Sequence, residues 1–342
     1  MLQKRTSAKK ARAQRVTGER LYAALDLGTN NCRLLVVALA EDAAGRPLSD
    51  DFRVRDSFSR IVRLGEGLNK TGELSPKAME RTIQALEACQ NKLAKYPSAR
   101  KRFVATEACR RASNGPAFIE RVRTELGMHI HIISGEEEAR LAFLGCASLL
   151  RKSKPNALVF DIGGGSTELM WVEMKPDGTN RIRDWLSVGY GVMNLTDAYG
   201  GTAFSDMAYD DMTTLISEKI ASFIERNNIR LAADAGTMQM LSTSGTVTTL
   251  AAITQGLPRY DRSKIDGITL PVESLRKTVS NLKDMRPSER FNHPCIGADR
   301  ADFILSGCAI FDALTRPWPH MQIRVADRGV REGIILSLTE QS

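Results

Sequence analysis

The feature that most constrains this chain is a unit written twice. The apolar run 21–25 enters the turn Asp26-Leu27-Gly28-Thr29-Asn30-Asn31, and a second apolar run, 34–39, follows it. Far downstream, Ala157-Leu158-Val159-Phe160 leads into Asp161-Ile162-Gly163-Gly164-Gly165-Ser166-Thr167-Glu168 and then Leu169-Met170-Trp171-Val172. Each copy reads as strand, Asp-x-Gly turn, strand. The two aspartates lie 135 residues apart in a chain of 342. That spacing predicts a duplicated α/β domain with a cleft between the halves.

Between the copies the punctuation is regular. Ser75-Pro76 predicts a helix start, Ser at N-cap and Pro at the first helical position. Met79, Ile83, Leu86 and Leu93 recur at helical spacing until Tyr96-Pro97. Phe103-Val104-Ala105 reads as a strand. Pro116 opens another helix with Ile119, Val122 and Leu126 on one face and Gly127 at its end. Residues 129–133 alternate like a strand, a helix is expected over 136–150, and the polar stretch 151–156 breaks it. The expected division is a basic tail over 1–20, an N-terminal domain over 21–134, and a C-terminal domain over 135–342. The last helix of that second domain is expected to pack back on the first.

Charge adds one exclusion. The chain carries +8, but residues 1–20 hold seven basic side chains against Glu19, so the remaining 41 basic and 39 acidic groups nearly cancel. A nucleic-acid contact, if one exists, is expected at that tail alone, and a solvated tail is the simpler reading. Six scattered cysteines without C-x-x-C spacing suit reduced thiols in a cytoplasm. No apolar run reaches the ~20 residues of a membrane span. Four histidines without H-E-x-x-H give no reason to expect a zinc enzyme.

The loops carry the chemistry. A glycine-rich turn exposes successive backbone N–H groups that cradle phosphate oxygens. An aspartate at such a turn repels phosphate but can hold Mg²⁺, which the phosphates then complete. Asp161 and Glu168, seven apart, can both reach one cation. A tight hairpin capped by Asp161 is the structural alternative. Ser242-Thr243-Ser244-Gly245-Thr246 reads as a strand-to-helix loop, either an anion site at a helix N-terminus or an ordinary Ser cap. In Ser134-Gly135-Glu136-Glu137-Glu138-Ala139-Arg140, acids complement the helix dipole, and Ser134 with Glu137 has capping-box spacing. A carboxylate there could also act as a general base on water, though spacing alone does not separate Glu138 from its neighbours. Arg33 and Arg110 fall where a guanidinium could neutralise phosphate, or simply lie at the surface.

Taken together, DLGTNNCR (26–33), RLGEGL (63–68), TEACRRASN (106–114), IISGEEEAR (132–140), DIGGGSTEL (161–169), STSGT (242–246), GADRADFILSG (297–307) and DRGVREG (327–333) resemble the exopolyphosphatase/guanosine pentaphosphate phosphohydrolase (Ppx/GppA) family, in its short two-domain form. The resemblance implies an α/β fold of two actin/Hsp70/sugar-kinase-like (ribonuclease H-like) domains. It implies a Mg²⁺-dependent hydrolase that removes terminal phosphate from inorganic polyphosphate, or the 5′-γ-phosphate from guanosine pentaphosphate. It also implies Glu138 as the base that activates water, Asp161 and Glu168 as metal ligands with Asp26 a further candidate, and Arg33 and Arg110 as phosphate contacts. Gly28, Asn30, Gly163, Gly164, Gly165, Ser166, Thr167, Ser244, Gly245 and Thr246 match its phosphate loops. Two positions depart from the pattern: Asn31 stands where serine is usual, and Glu107 adds a carboxylate that either crowds the phosphate path or faces solvent. A homodimer is compatible with the family. The alternatives are an ATP-dependent kinase or ATPase on the same fold, and a non-catalytic protein that binds polyphosphate or an alarmone.

Overall fold

Both Asp-x-Gly turns close antiparallel hairpins. The computed structural model describes residues 18–41, 52–175, 177, 179–200 and 205–340, so most of the basic tail lies outside the described residues. Strand β1 (Gly18–Leu27) pairs with β2 (Asn31–Glu41) in a register that sets Asp26 opposite Arg33. Outside β2 lies antiparallel β3 (Arg53–Ile61). On the other side of β1 lie β4 (Arg100–Ala105) and β5 (Ile130–Ile132), both parallel to it.

The second sheet repeats this plan. β6 (Asn156–Ile162) and β7 (Thr167–Met174) form the hairpin, with Asp161 opposite Glu168. β8 (Asn180–Val188) lies antiparallel outside β7. β9 (Met238–Ser242) runs parallel to β6. Beyond it come β10 (Thr269–Pro271) and β11 (Gln322–Val325), with β11 parallel to β9 and β10 added as an antiparallel edge. Two sheets with the same order and handing of hairpin and crossover strands make a duplicated α/β fold.

Central strands buried on both faces need cover on both. On one face of the first sheet, Ala23, Leu25, Leu34 and Val36 pack against Ile83 and Leu86 of the helix Pro76–Leu93. That helix starts as its sequence predicts: Ser75 accepts from the Ala78 amide at 3.2 Å, and Pro76 is its first residue. The opposite face, with Tyr22, Ala24, Leu35, Val37 and Val104, is covered by Leu141 and by Ile334, Ile335 and Leu338 of the helix Val330–Glu340. The second sheet turns Ala157, Val159, Met170 and Val172 toward Ala139, Phe143 and Cys146 of the helix Gly135–Cys146. Its other face packs on the helices Asp206–Arg226 and Ile304–Thr315. The helices 135–146 and 330–340 are therefore a middle layer between the sheets.

Two local expectations need correction. The helix expected through residue 150 is α-helical only to Cys146, where a 3₁₀ turn, Ala147–Leu149, takes over. The capping box is half formed: Ser134 accepts from the Glu137 amide at 3.2 Å, but the Glu137 carboxylate turns instead to Arg102 and Arg140. Two charge-assisted bonds outweigh one bond to a backbone amide. All six cysteines are buried free thiols. Among the described residues no helix is long and apolar enough to cross a membrane.

The middle-layer helices touch backbone to backbone. A Cβ on Gly145 would collide with the Gly329 carbonyl, and one on Gly333 would collide with the Leu141 carbonyl. Overpacking of this kind costs about 1–3 kcal/mol. Gly333→Ala is expected to lower stability by at least that range in urea or thermal unfolding, and a midpoint equal to wild type would refute this packing.

Candidate functional site

The two turns do more than reverse the chain. Gly28 donates its amide to Asn31 O and Gly163 donates to Ser166 O, each at 2.9 Å, so these two N–H groups hold the turns shut. The carbonyls of Gly163, Gly164 and Gly165 are held from behind by the Val192 amide (3.0 Å), the Met193 amide (2.8 Å) and Asn194 Nδ2 (2.6 Å). In a trans peptide the N–H points opposite its C=O, so the Gly164 and Gly165 amides face away from that support. On their far side is the first turn. A Cβ on Gly164 would sit 3.2 Å from the Asn30 Cβ, and one on Gly165 would sit 2.6 Å from Thr29 Oγ1. Glycine is required here for close approach of the two turns. The first turn is braced in its own way: Val62 and Arg63 donate to Asn30 O, and Gly65 to Thr29 O. RLGEGL is thus the buttress of the DLGTNN turn.

Alternation along the strands then sets the electrostatics. Asp26 shares the sheet face of Tyr22 and Ala24, and Asp161 shares that of Ala157 and Val159. Both aspartates project into the middle layer at the ends of their strands. Arg33 lies opposite Asp26 and Glu168 opposite Asp161, so the first hairpin carries a cation where the second carries an anion. The helix Gly135–Cys146 starts at the same level and brings Glu138 in its first turn. Burial, and then Glu168, pushes Glu138 well above the usual carboxylate range, with Arg110 opposing. Burial and Glu138 raise Asp161 from 3.8 to about 7. Burial and Asp161 raise Glu168 from 4.5 to about 7, although Ser166 Oγ (2.6 Å) and Ser187 Oγ (3.0 Å) donate to it. Burial also raises Asp26.

A cavity of about 290 Å³ opens over this cluster. Its wall contains Gly28, Asn30, Arg33, Gly163, Gly164, Gly165, Ser166, Ser244, Gly245 and Thr246, together with Asp26, Glu138 and Asp161. Three expected residues fall outside it. Thr167 is buried and donates to Tyr190 O at 2.8 Å. Glu168 lies behind Ser166. Arg110 is committed: its Nη1 donates to Ile133 O (2.8 Å) and Glu138 Oε2 (3.1 Å), and its Nη2 to Glu107. Glu107 is itself in the cavity wall and buried, which removes the solvent-facing alternative. Ser244 is an N-cap, accepting from the Val247 amide at 3.0 Å, and the helix Gly245–Thr254 presents its N-terminus to the cavity. Sequence reading missed Thr29, Arg300, Arg328 and Arg331, which also line it. GADRADFILSG and DRGVREG contain these arginines, but no spacing shows that those segments return to the turns.

The donor set suits a hard divalent cation. Asp161 and Glu168 are neighbours without an arginine in their own hairpin, and no described residue donates a hydrogen bond to the Asp161 carboxylate. Among the described residues no three His, Cys, Asp or Glu side chains form a ready cage. Mg²⁺ commonly takes one or two carboxylates and fills its shell with water and phosphate oxygens.

A duplicated α/β fold whose two turns meet over a polar, amide-lined cavity belongs among proteins that handle phosphate groups. Residues 51–342 match the sequence model of the Ppx/GppA phosphatase family. The chain is 30% identical over 329 residues to exopolyphosphatase 2 of Mycobacterium tuberculosis, covering 92% of this chain and 98% of that one. The crystal structure of the Aquifex aeolicus Ppx/GppA family member is 27% identical, with a TM-score of 0.75 over 95% of this chain and 99% of the other. An exopolyphosphatase structure from Cytophaga hutchinsonii shares the fold at 21% identity and a TM-score of 0.81, over 94% and 98% of the two chains. The chain belongs to the Ppx/GppA phosphatase family. It is a phosphohydrolase, and the kinase and binding-protein alternatives fall away.

The raised acids have a measurable consequence. With folded values above 3.8 and 4.5, the folded protein holds more protons than the unfolded chain between about pH 4 and about pH 7. The stability contributed by Asp161 and Glu168 is therefore full below that window and is lost as pH rises through it. In chelator, Asp161→Asn is expected to gain thermal midpoint relative to wild type as pH is raised from about 4 to about 7. A difference that stays flat across the window would count against the raised values.

Proposed function

We propose that this phosphohydrolase is a Mg²⁺-dependent exopolyphosphatase that releases orthophosphate from the end of inorganic polyphosphate. The observation that carries this reading is Glu138, a partly buried carboxylate with raised basicity, held by Arg110 at the wall of a cavity that also presents the glycine-turn amides, a helix N-terminus and several arginines. The terminal phosphoryl group lies against the Gly164 and Gly165 amides and the N-terminus of the helix 245–254, and Arg33 offsets its charge. Glu138 orients a water and takes its proton as the water oxygen bonds to phosphorus. The bridging P–O bond breaks, and the shortened chain leaves with the bond's electron pair. A general base works best with its pKa near the operating pH, which burial of Glu138 favours. Arg110 keeps the carboxylate in one orientation, and Glu107 keeps Arg110 in place. Mg²⁺ held by Asp161 and Glu168, with Asp26 as a further candidate, would neutralise phosphate oxygens and the charge that develops on the leaving oxygen. Catalysis is then mostly positioning and electrostatic stabilisation.

Polyphosphate is favoured over guanosine pentaphosphate by the scarcity of aromatic surface in the cavity wall: its aromatic ring, Phe303, already has the Arg63 guanidinium 5.2 Å from its centroid. The relative from Mycobacterium tuberculosis is also named for polyphosphate.

The test is phosphate release with Mg²⁺ from long-chain polyphosphate and from guanosine pentaphosphate in parallel. Release from polyphosphate is expected, with Glu138→Ala slower by ~10²-fold or more and folded normally. Release from guanosine pentaphosphate alone would overturn the substrate assignment. Near-wild-type turnover by Glu138→Ala would overturn the base.

A further inference from the structure

The segment before the last helix is tied down on every side. Tyr260 Oη donates to Asp327 Oδ2 at 2.7 Å, Arg328 pairs with Asp266, and Thr243 donates to Arg328 O. Glu332, buried, accepts from the Gly329 amide (2.9 Å) and from Arg262 Nη2 (2.9 Å). These contacts satisfy three of the four charged groups between residues 327 and 332. Arg331 is the fourth. No hydrogen bond or ion pair joins it to another described residue, yet it is half-buried in the cavity wall, and that burial pulls its pKa below the usual arginine value.

A half-buried guanidinium in a cavity wall with no hydrogen-bond partner leaves its donors unmatched by any acceptor among the described residues. Its surroundings do not remedy this. Glu332 is already engaged by Arg262, and Asp26 is shared with Arg33, whose own positive charge acts against Arg331. Arg33 likewise has no hydrogen-bond partner among the described residues. Two guanidiniums, one from β2 and one from the second residue of the helix 330–340, thus approach the cavity from different elements with the half-buried Asp26 carboxylate near both. The helix N-terminus adds its positive end beside Arg331. An anion of at least two charges would complete this arrangement. Arg110, by contrast, has its donors filled by Glu107, Glu138 and Ile133 O.

We propose that Arg331 is a direct ligand of the substrate's terminal phosphoryl group and closes on it together with Arg33. This rests on reading the cavity as the polyphosphate site. Planar guanidiniums bind phosphate through two parallel N–H···O bonds, a geometry that lysine lacks. Arg331 and Arg33 then grip oxygens that gain charge during P–O cleavage, and Arg110 serves as the positioning residue of Glu138.

The test uses the full chain with Mg²⁺, inorganic tripolyphosphate as probe, and Arg331→Met and Arg331→Lys. Affinity is read by calorimetry in a Glu138→Gln background that blocks turnover, and kcat and KM are read with Glu138 intact. Arg331→Met is expected to weaken tripolyphosphate by about tenfold or more and to lower kcat/KM by ~10²-fold. Arg331→Lys is expected to fall between Met and wild type. The thermal midpoint of Arg331→Met without anion is expected to hold, because no hydrogen bond or ion pair to another described residue is lost. Unchanged tripolyphosphate affinity in Arg331→Met would overturn the proposal, as would a loss of affinity explained by unfolding in both variants. If wild type binds tripolyphosphate but releases no phosphate from polyphosphate, the functional reading fails, and the affinity of the variants still decides the role of Arg331. Wild type that does not bind tripolyphosphate overturns both.

Discussion

Setting Asp161, half-buried, beside the buried Glu168 in one antiparallel register costs free energy that the Ser166 hydroxyl, donating to Glu168, recovers only in part. Like charges opposite each other on a sheet repel, and low dielectric strengthens that repulsion. The first hairpin has the same geometry without the cost, because Arg33 stands where the second copy has Glu168. Much of the site follows from this difference. The anionic hairpin sits next to Glu138 and raises its basicity, and it favours a cation. The mixed hairpin leaves an arginine facing the same cavity. One backbone design, used twice with one reversed charge, yields an anionic hairpin and a mixed-charge hairpin at the same cavity.

The glycines of the second turn belong to the same logic. Their carbonyls are anchored to residues 192–194, which fixes the direction of the next amides, and the absence of side chains lets the two turns nearly touch. The turn is stiff because the carbonyl side of each of these peptides is committed. Fixed dipoles need no reorganisation when charge develops.

Much of this was legible in the sequence, and the failures have physical causes. The duplicated hairpins and the Ser75-Pro76 helix start follow from patterns that a short stretch of chain determines by itself, whereas only the family resemblance singles out Glu138 from Glu136 and Glu137. Thr167 was placed among the phosphate loops, but strand alternation turns it away from Glu168 and into the support. The capping role of Glu137 lost to Arg102, which arrives from a different strand. Glu107 was left with two readings, and Arg110, three residues on, decides between them by ion pairing. Arg300 and Arg331 come from segments more than 130 residues beyond the second turn. Their return depends on helix packing across the middle layer, and no local period encodes that.

The helix 330–340 belongs by order to the second half of the chain and by packing to the first sheet, where Ile334, Ile335 and Leu338 cover Tyr22, Leu35 and Val37. During synthesis the first sheet therefore emerges from the ribosome with one apolar face bare. Leu141 can cover part of it early, but Ile334, Ile335 and Leu338 reach it only after the second sheet has been translated. The cavity wall at 326–332 and the cover of that face are therefore completed by the same late event.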